Sequence, residues 1–302
     1  MKKVVSVSLG SSRRDHKVEA EFFGEPFTIE RIGTDGDMGK AIGLIKEFDG
    51  NVDAIGLGGI DLYLVAGKRK YIIRDAQKLA SAAQRTPVVD GSGLKNTLER
   101  ETIRYLANEK IIEFKNKKAL LPSAVDRFGM AEALVEAGCK TIFGDLIFAL
   151  GIPIALKSLT TVRILAFLLL PIICRLPFEK LYPTGEKQEK IEPKYTKYYN
   201  WADIIAGDFL FIRRYMPQEM AEKIIITNTV TADDVAALEE RGVKLLVTTT
   251  PEIGGRSFGT NVMEGVLVAL CGKRPEELKP EDYMESLKQL GWQPRVERLE
   301  AG

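Results

Sequence analysis

Five short apolar segments alternate with segments of helical periodicity over the second half of the chain, beginning at Lys117. The five segments read KALLP, KTIFGD, ADIIAGDF, KIIITNTV and KLLVTTTP. Continuous apolar runs separated by helices are typical of a parallel sheet whose two faces are both covered. One intervening helix has clear ends, since Thr231 is a favourable cap and Gly242 stands beyond the last turn. The pattern predicts a Rossmann-like domain built on a doubly wound parallel sheet.

The first third of the chain also alternates strands and helices, and it contains two predicted hairpins. One hairpin turns at Gly24 and Glu25, and the other spans residues 62–74. A helix begins near Asp75, which is a plausible cap. The predicted fold class is therefore α/β, with an N-terminal α/β substrate domain over residues 1–115, the Rossmann-like nucleotide-binding domain over 116–272, and a short C-terminal helical tail over 273–302.

Composition argues against several functional classes. The chain has 302 residues, 45% of them hydrophobic, and a formal net charge of +1, so neither nucleic acid nor an anionic membrane is an expected partner. A single histidine and three scattered cysteines make a metal site unexpected. The cysteines lie in apolar segments, which predicts buried, reduced thiols. The N-terminal apolar run is too short for a signal peptide, so we expect a cytoplasmic protein.

The most apolar segment covers residues 162–178. Its uninterrupted part, Ile164 to Cys174, is shorter than the roughly 20 residues that cross a bilayer, and it contains Pro171. We therefore predict a buried helix or a subunit interface rather than a membrane span, and an interface there would make the protein a homo-oligomer. The next segment, 179–197, is charged and contains prolines, and we expect an exposed loop or lid there.

A candidate phosphate-binding loop follows the first strand of the second domain. Backbone N–H groups at the start of a helix bind phosphate, and the usual sequence is G-x-G-x-x-G with a ribose-binding acid about 20 residues later. Here Ser123 and Val125 occupy the first two glycine positions, and Gly129 lies one residue after the third. A branched valine obstructs a pyrophosphate, so the loop is either a modified dinucleotide site or an ordinary crossover whose polar residues cap the helix. The candidate cofactor residues are Ser123, Asp126, Arg127, Gly129 and Asp145.

A second candidate is the loop TTTPEIGGRSFGTN, residues 248–261, which connects the fifth strand to its helix. Its glycines allow close approach of the backbone, and its hydroxyls lie at the carboxyl end of the sheet, where open α/β sheets bind ligands. The neighbouring strand ends in TNT and should line the same crevice. A turn that only reverses the chain is the alternative. The candidate residues are Thr227, Asn228, Thr249, Thr250 and Gly255 for the cofactor, and Arg256 for the substrate.

The third candidate is VVDGSGLKNTLERE in the first domain, where Asp90 ends a strand and Lys95 and Asn96 lie in the first turn of the next helix. A lysine at that position opposes the helix dipole, so it needs another reason to be present. Paired with Asp90, Lys95 would transfer a proton to or from a substrate hydroxyl, as an alcohol oxidation requires. A solvated lysine beside a capping aspartate is the alternative. Asn96 is a candidate substrate ligand.

Two further stretches supply candidate substrate ligands. LGSSRRDHK follows the first strand, and its Ser12, Arg13 and His16 suit a carboxylate or a phosphate. His16 is also a candidate acid–base group, although a lone histidine in a charged loop is more often a surface residue. Asp61 follows GLGG at the end of another strand and is a further polar candidate.

Together these segments resemble a bacterial family named quinate 5-dehydrogenase. The resemblance runs nearly end to end, through VSVSLGSSRRDH, RIGTDGD, GLGGIDLY, VVDGSGLKNTLER, SAVDRFGMAEAL, YPTGEKQE and TTTPEIGGRSFGTNVMEG. It implies an NAD- or NADP-linked oxidation of a cyclic polyol acid. The domain order is similar to that of the shikimate and amino-acid dehydrogenases, whose substrate domain precedes the nucleotide domain. In that group an Asp–Lys pair serves a substrate hydroxyl, and Asp90 with Lys95 is the nearest match by residue type.

We therefore predict an NAD(P)-dependent oxidoreductase that acts on a small hydroxylated carboxylic acid, of the quinate or shikimate type, in the cleft between the domains. Asp145 favours NAD over NADP, because a carboxylate suits a free 2′-hydroxyl and repels a phosphate. Two alternatives stay open. One is a transferase or ligase-like enzyme for a phosphorylated metabolite, and the other is a non-catalytic metabolite-binding protein.

Overall fold

The computed structural model describes residues 1–67, 69–181, 191–250, 252–253, 256–257 and 259–299, and for residues 179–180, 252–253 and 256–257 it describes the backbone alone. Two sheets, each with helices against it, form the molecule. The α/β class and the Rossmann-like parallel sheet expected from the sequence are both present.

The first sheet has five strands in the order β2-β3-β1-β4-β7. All neighbours run parallel except the edge strand β2, which forms the expected antiparallel hairpin with β3. A separate antiparallel hairpin joins β5 to β6, also as expected. The elements are β1 (Lys2–Ser8), β2 (His16–Phe22), β3 (Glu25–Gly33), α1 (Met38–Phe48), β4 (Ala54–Gly58), β5 (Tyr63–Ala66), β6 (Arg69–Ile72), α2 (Arg74–Ala80), β7 (Val88–Val89) and α3 (Ser92–Asn108).

The second sheet has six strands in the order β15-β12-β11-β10-β8-β9. Five of them are the predicted parallel strands, and β15 adds an antiparallel edge. The elements are β8 (Lys118–Leu121), α4 (Phe128–Glu136), β9 (Lys140–Phe143), a π-helical turn (Asp145–Ala149), α5 (Leu159–Ile173), α6 (Phe178–Leu181), α7 (Thr196–Trp201), β10 (Ile204–Ala206), α8 (Phe209–Tyr215), β11 (Ile224–Thr227), α9 (Ala232–Glu239), β12 (Leu245–Thr248), β13 (Glu252–Ile253), β14 (Arg256–Ser257), α10 (Thr260–Cys271), α11 (Pro280–Gln289) and β15 (Arg295–Arg298).

Helix α10 returns to the first sheet, although it follows the last parallel strand of the second. Its buried residues Met263 and Val266 join a hydrophobic cluster with Val4 of β1 and Phe27 of β3. The contact is close, since a Cβ on Gly265 would lie 2.9 Å from Val4 Cγ1. The expected domains, residues 1–115, 116–272 and 273–302, stay a prediction. α10 belongs to the second of them in sequence but packs on the sheet of the first. The segment expected to be a purely helical tail also contains β15, which extends the second sheet.

The apolar segment forms α5, which is buried on one face only. Val162, Ala166 and Leu170 are buried, but Leu168 is 58% exposed and Ile172 is 66% exposed. The expectation of a buried helix therefore holds for one face of α5 only, and a subunit interface on the other face stays a prediction. Within the described residues, no helix has both the length and the hydropathy needed to cross a membrane. Residues 182–190 of the expected lid lie outside the described part of the chain.

Two smaller expectations are also wrong. Ile73, not Asp75, is the residue at the N-terminal boundary of α2, while the Asp75 carboxylate accepts hydrogen bonds from Lys78 Nζ at 2.8 Å and from the backbone N–H of Phe178 at 3.1 Å. Asp75 therefore fastens α6 to α2. The three cysteines are free, but Cys271 is exposed rather than buried, because it lies at the end of α10.

Candidate functional site

A cleft of about 230 Å³ lies where the carboxyl ends of strands from the two sheets meet. Ser8 ends β1 and Gly58 ends β4 on one side, while Asp208 follows β10 and Asn228 follows β11 on the other. Ligand sites of open α/β sheets lie at this end of the strands because the loops there are free to vary. The N-terminus of α10 completes the wall of the cleft.

Lys95 is the centre of a buried charge cluster in the cleft wall. Its Nζ lies 2.7 Å from Asp126 Oδ1 and 3.5 Å from Asp61 Oδ1. Gly91 makes this position available, since its φ of +91° turns the chain sharply from β7 into α3. A side chain at Gly91 would also meet α10, because its Cβ would lie 2.7 Å from the backbone nitrogen of Asn261. The structure thus brings together three residues that the sequence placed in three different candidate stretches.

The cluster keeps opposite charges on Lys95 and Asp126. Burial and the Arg127 charge lower the pKa of Lys95, but Asp126, Asp61 and Glu99 outweigh them and raise it above its usual value. Burial raises the pKa of Asp126, yet the Lys95 and Arg127 charges leave it far below the usual range. At neutral pH the ammonium group of Lys95 is therefore a fixed hydrogen-bond donor.

Asp61 behaves differently from Asp126. Burial raises its pKa well above the usual value, the Lys95 charge opposes that rise, and the Asp126 charge adds to it. Two carboxyl groups lie beside one lysine, and the lysine charge stabilises the ionised form of one of them more than that of the other. The less stabilised carboxyl group therefore retains its proton more readily. Asp61 is therefore the carboxyl group of the cluster that retains a proton more readily than Asp126.

The expected ion pair between Asp90 and Lys95 is not formed. Asp90 Oδ2 instead accepts the backbone N–H of Leu62 at 2.6 Å and of Tyr63 at 3.1 Å, and Oδ1 accepts the N–H of Ser92 at 3.0 Å. Because the Asp90 carboxylate accepts three backbone hydrogen bonds, its role is structural: it holds the start of β5 against the turn before α3. Asp90 still lines the cleft.

Arg127 is buried and bonded to three carboxylates. Its guanidinium donates to Glu99 Oε1 at 2.8 Å, to Asp208 Oδ2 at 2.7 Å and to Asp126 Oδ2 at 3.1 Å. These carboxylates keep its pKa well above the usual value despite burial, which acts in the opposite direction. Because these donors are all bonded within the protein, Arg127 connects Glu99 of α3 to Asp208, which follows β10 of the second sheet. It also holds Asp126 in place.

The loop expected to bind phosphate uses its own backbone groups internally. Val125 N–H donates to Asp145 Oδ1 at 2.9 Å, so the end of β9 already supplies an anion to this loop. Burial raises the pKa of Asp145 to about 6, and the backbone N–H groups of Val125 and Ala124 oppose that rise. The Val125 side chain lies beside the same loop, where it lines an apolar cavity together with Ser123 and Asp145. In this conformation the loop does not fit a pyrophosphate.

Gly129 and Asn96 serve helix packing rather than ligand contact. A Cβ on Gly129 would lie 2.7 Å from the backbone oxygen of Asn96, and closer still to its side-chain oxygen. The absence of a side chain at Gly129 thus lets α4 pack directly on α3. Neither residue lines the cleft.

A basic part of the cleft wall comes from Arg14, His16 and Arg31. Arg31 lies in β3 and donates to Asp15 Oδ1 at 2.8 Å and to Ser8 Oγ at 3.0 Å. Burial, aided by the Arg14 charge, lowers the pKa of Arg31 to about 10, while the Asp15 and Asp35 charges oppose the fall. Arg31 was missed from the sequence, although a charged residue inside the apolar strand FTIERIG was a usable signal. Arg14 lines the cleft in place of the expected Arg13.

The two remaining candidates of that stretch, Ser12 and Arg13, are exposed and do not line the cleft. The backbone N–H of Ser12 donates to Asp35 Oδ1 at 2.8 Å, and this bond fixes the 3₁₀ turn between β1 and β2. His16 is partly buried, and its Nδ1 lies 3.1 Å from the backbone oxygen of Arg14.

Most hydroxyls at the edge of the second sheet tie loops together. Thr227 Oγ1 donates to the Gly207 oxygen at 2.8 Å, and Thr250 Oγ1 donates to the Asn228 oxygen at 2.9 Å. Of the expected residues here, only Asn228 lines the cleft. Its side-chain amide donates to Asp208 Oδ2 at 2.9 Å.

Three more expectations concern the loop after β12. The Thr249 hydroxyl is buried, and among the described residues it has no hydrogen-bond partner. Gly255 and the Arg256 side chain lie outside the described residues. Asn261, the last polar residue of this stretch, lines the cleft, and its Nδ2 donates to Ser6 Oγ at 2.8 Å, which fixes the start of α10 against β1.

Two family models match the chain. The first is described as a domain of unknown function (DUF8754) and covers residues 93–299. The chain belongs to this family. The second is described as a domain of unknown function (DUF8753), and its match over residues 3–90 ends at the turn before α3. No curated protein matches the chain.

Several solved structures are similar to this DUF8754 chain over most of its length. A galactofuranose binding protein is 14% identical, with 96% of this chain and 99% of that chain covered and a TM-score of 0.36. A glucose-galactose binding protein from Geobacillus stearothermophilus is 10% identical, with 98% and 97% covered and a TM-score of 0.38. An NAD-dependent malic enzyme from Thermotoga maritima is 11% identical, with 96% and 84% covered and a TM-score of 0.34. Similarity at this level carries no argument about ligand or activity, so both are argued from the site.

Proposed function

We propose that the cleft is the active site of an enzyme that acts on a hydroxyl group of a small hydroxylated carboxylic acid. The observation that carries the proposal is the placement of Lys95 Nζ, 2.7 Å from Asp126 and 3.5 Å from Asp61, in the wall of a cleft that also presents arginines. The buried ammonium group donates to the ligand oxygen, and Asp61 exchanges the proton. A purely structural ion pair does not need a second, proton-retaining carboxyl group beside the same lysine.

The basic part of the wall supports a carboxylate-bearing ligand. Arg14 and Arg31 line the cleft together, and the Asp15 and Asp35 carboxylates balance part of the charge at Arg31. Guanidinium groups bind carboxylates with charge-assisted hydrogen bonds, which are stronger than neutral ones. A ligand with a carboxylate at Arg14 and Arg31 and a hydroxyl at Lys95 satisfies both parts of the wall.

In its finer form, the proposal is NAD- or NADP-dependent oxidation of a quinate- or shikimate-like acid. One observation favours it, because Asp145 Oδ2 at the end of β9 is buried without a hydrogen-bond partner among the described residues, where a ribose hydroxyl is expected. The occupied amides of the 123–129 loop count against it. We derive no catalytic step through the nucleotide, and its binding is a separate question for experiment.

The experiment has two parts. Quinate and shikimate are titrated into the protein at pH 7, and the melting temperature and the fluorescence of Trp201 and Trp292 are recorded. NADH and NADPH are titrated in the same way into the wild type and into Asp145→Ala. Saturable binding of an acid, lost in Lys95→Met, supports the cleft function. Saturable nucleotide binding that Asp145→Ala abolishes supports the NAD(P) form, whereas indifference to both nucleotides removes it.

A further inference from the structure

A second cavity, of about 180 Å³, lies beneath α5 and beside the cleft. We call it the apolar cavity, because most of its walls are aliphatic side chains of α5 and of the chain around it. These side chains are Leu146, Ala149, Leu150, Leu156, Val162, Leu165, Ala166, Leu169, Leu170, Ile173, Leu176 and Leu181.

The apolar cavity occupies the place where the sequence predicts the nucleotide. Ser123 and Val125 of the expected phosphate loop line it, and so does Asp145, the expected ribose-binding acid. α5 covers these positions with aliphatic side chains rather than with hydrogen-bond donors. A phosphate or a ribose would therefore enter a mostly apolar space, which costs free energy for each polar group left unbonded.

The apolar cavity adjoins the cleft. Asp126 and Phe211 line both, so their side chains form the boundary between the two spaces. Asp126 is also the principal partner of Lys95. A single molecule that binds Lys95 in the cleft therefore has an apolar space next to its reacting hydroxyl.

One polar atom in the wall of the apolar cavity lacks a hydrogen-bond partner among the described residues. Asp145 Oδ2 is buried and has no hydrogen-bond partner among the described residues, while Oδ1 accepts from Val125 N–H. A buried acceptor without a donor costs about 1–3 kcal/mol, and an aliphatic group cannot donate to it. The aliphatic lining and the two residues shared with the cleft, rather than this oxygen, therefore indicate what the cavity binds. Asp145 lines the cavity together with Asp126, which also lines the cleft.

We propose that the apolar cavity binds an apolar arm of the same molecule whose hydroxylated carboxylate occupies the cleft. This inference rests on the coarser proposed function, action on a hydroxyl group of a hydroxylated carboxylic acid, and it narrows the substrate class to amphipathic hydroxy acids. It competes with the NAD(P) form, because the arm would occupy the position expected for the nucleotide. The arm passes Asp126 and Phe211 and lies among the aliphatic side chains of α5. A cavity of about 150 Å³ lined by aliphatic and aromatic side chains admits benzene, so the arm is about the size of a six-carbon ring or chain.

The test uses 2-hydroxy acids of increasing chain length, from glycolate through 2-hydroxyhexanoate to 2-hydroxydecanoate. Their dissociation constants are measured by isothermal titration calorimetry with the full chain. Each methylene that enters the apolar cavity should strengthen binding by about fourfold, and the gain should end when the cavity is full. Ala149→Phe partly fills the cavity from its exposed rim, and Ala166→Leu fills it from the buried face. Val135→Phe, at an exposed position of α4 outside the cavity, is the matched control.

The result expected is a chain-length gain in the wild type and in Val135→Phe that shrinks in both filling variants, while glycolate binds all four proteins equally. An affinity that does not change with chain length in the wild type overturns the inference and leaves the cleft function intact. Long-chain acids that bind a Lys95→Met variant as tightly as the wild type leave the cavity in place but overturn the cleft function. Absence of binding by every acid in the series overturns both.

Discussion

The carboxylate of Asp145 accepts the backbone N–H of Val125 across a distance of 2.9 Å. An acid at the end of the second strand is therefore bonded to the loop after the first strand, not to a nucleotide held between them. This bond explains how a loop with serine and valine in place of two fingerprint glycines holds its conformation, because the carboxylate replaces the anion that such loops usually bind. Asp145→Ala should speed the hydrogen exchange of the Val125 amide, and Asp145→Asn should largely preserve its protection. Equal exchange rates in the wild type and in Asp145→Ala would remove this explanation.

Gly129→Ala should destabilise the protein. The added Cβ would lie 2.7 Å from the backbone oxygen of Asn96, and α3 must move to accommodate it. Overpacking of this kind typically costs about 1–3 kcal/mol. Gly43→Ala in α1 is the matched control, since nothing lies within 4 Å of its added Cβ, and it should raise stability by up to about 1 kcal/mol. Urea denaturation of both variants measures the two effects, and an equal effect of the same sign would contradict the packing role of Gly129.

Arg127→Met should destabilise the fold by about 3–5 kcal/mol, because it leaves the buried carboxylate of Glu99 without this cation and leaves Asp126 with Lys95 alone. Glu99 is the more costly of the two, since its side chain is 1% exposed and its Oε2 already lacks a partner among the described residues. The double variant Arg127→Met with Glu99→Leu should recover part of the loss. Chemical denaturation of the two single variants and the double variant gives the coupling free energy. Additive losses would show that Arg127 does not act through Glu99.

Glu264 should make the protein less stable as the pH rises from about 4.5 to about 7. Burial raises the pKa of Glu264 from 4.5 to about 7, with the Asp90 charge adding to the rise and hydrogen bonds from Tyr283 and Gly91 opposing it. The folded protein thus binds this proton more tightly than the unfolded chain does. The stabilisation that this proton gives is fully present below the pKa of Glu264 in the unfolded chain, and it is lost as the pH passes the pKa in the folded protein. The free energy of unfolding changes by about 3 kcal/mol at most.

Glu264→Gln removes that titration and tests the sign of the effect. The free energy of unfolding is measured by urea denaturation at pH 5, 6, 7 and 8 in the wild type, in Glu264→Gln and in the exposed control Glu47→Gln. The difference between wild type and Glu264→Gln should change steadily in favour of the variant between pH 5 and 7. A difference that is constant with pH would contradict the buried, proton-retaining state of Glu264.

Much of the fold was predictable, because hydrophobic periodicity and the residues that begin and end helices are local properties of the chain. The five apolar runs after Lys117 are strands, and the Thr231 cap forms a complete capping box with Asp234. β15 was missed because RVER is short and polar, and it pairs with a strand about 50 residues away. The return of α10 to the first sheet was missed for a similar reason. Helical period indicates an apolar face but not which sheet that face covers.

The site was harder to predict, because its contacts join distant parts of the chain. Lys95, Asp61 and Asp126 were all singled out, yet the sequence suggested Asp90 as the partner of Lys95 on the strength of their proximity along the chain. The structure pairs Lys95 with a residue 31 positions away. Local patterns also identified the Asp145 position correctly as a strand end, but only the tertiary structure shows that its oxygen is bonded to the Val125 amide.

The binding of quinate to the wild type and to Lys95→Met, measured by isothermal titration calorimetry at pH 7, tests the central proposal most directly. A hydrogen bond from a charged donor contributes about 1.5–3 kcal/mol, so Lys95→Met should weaken quinate binding by about 10- to 100-fold, while the exposed control Lys46→Met should leave it unchanged. Equal dissociation constants for the wild type and for a folded Lys95→Met protein would contradict the assignment of Lys95 to the ligand.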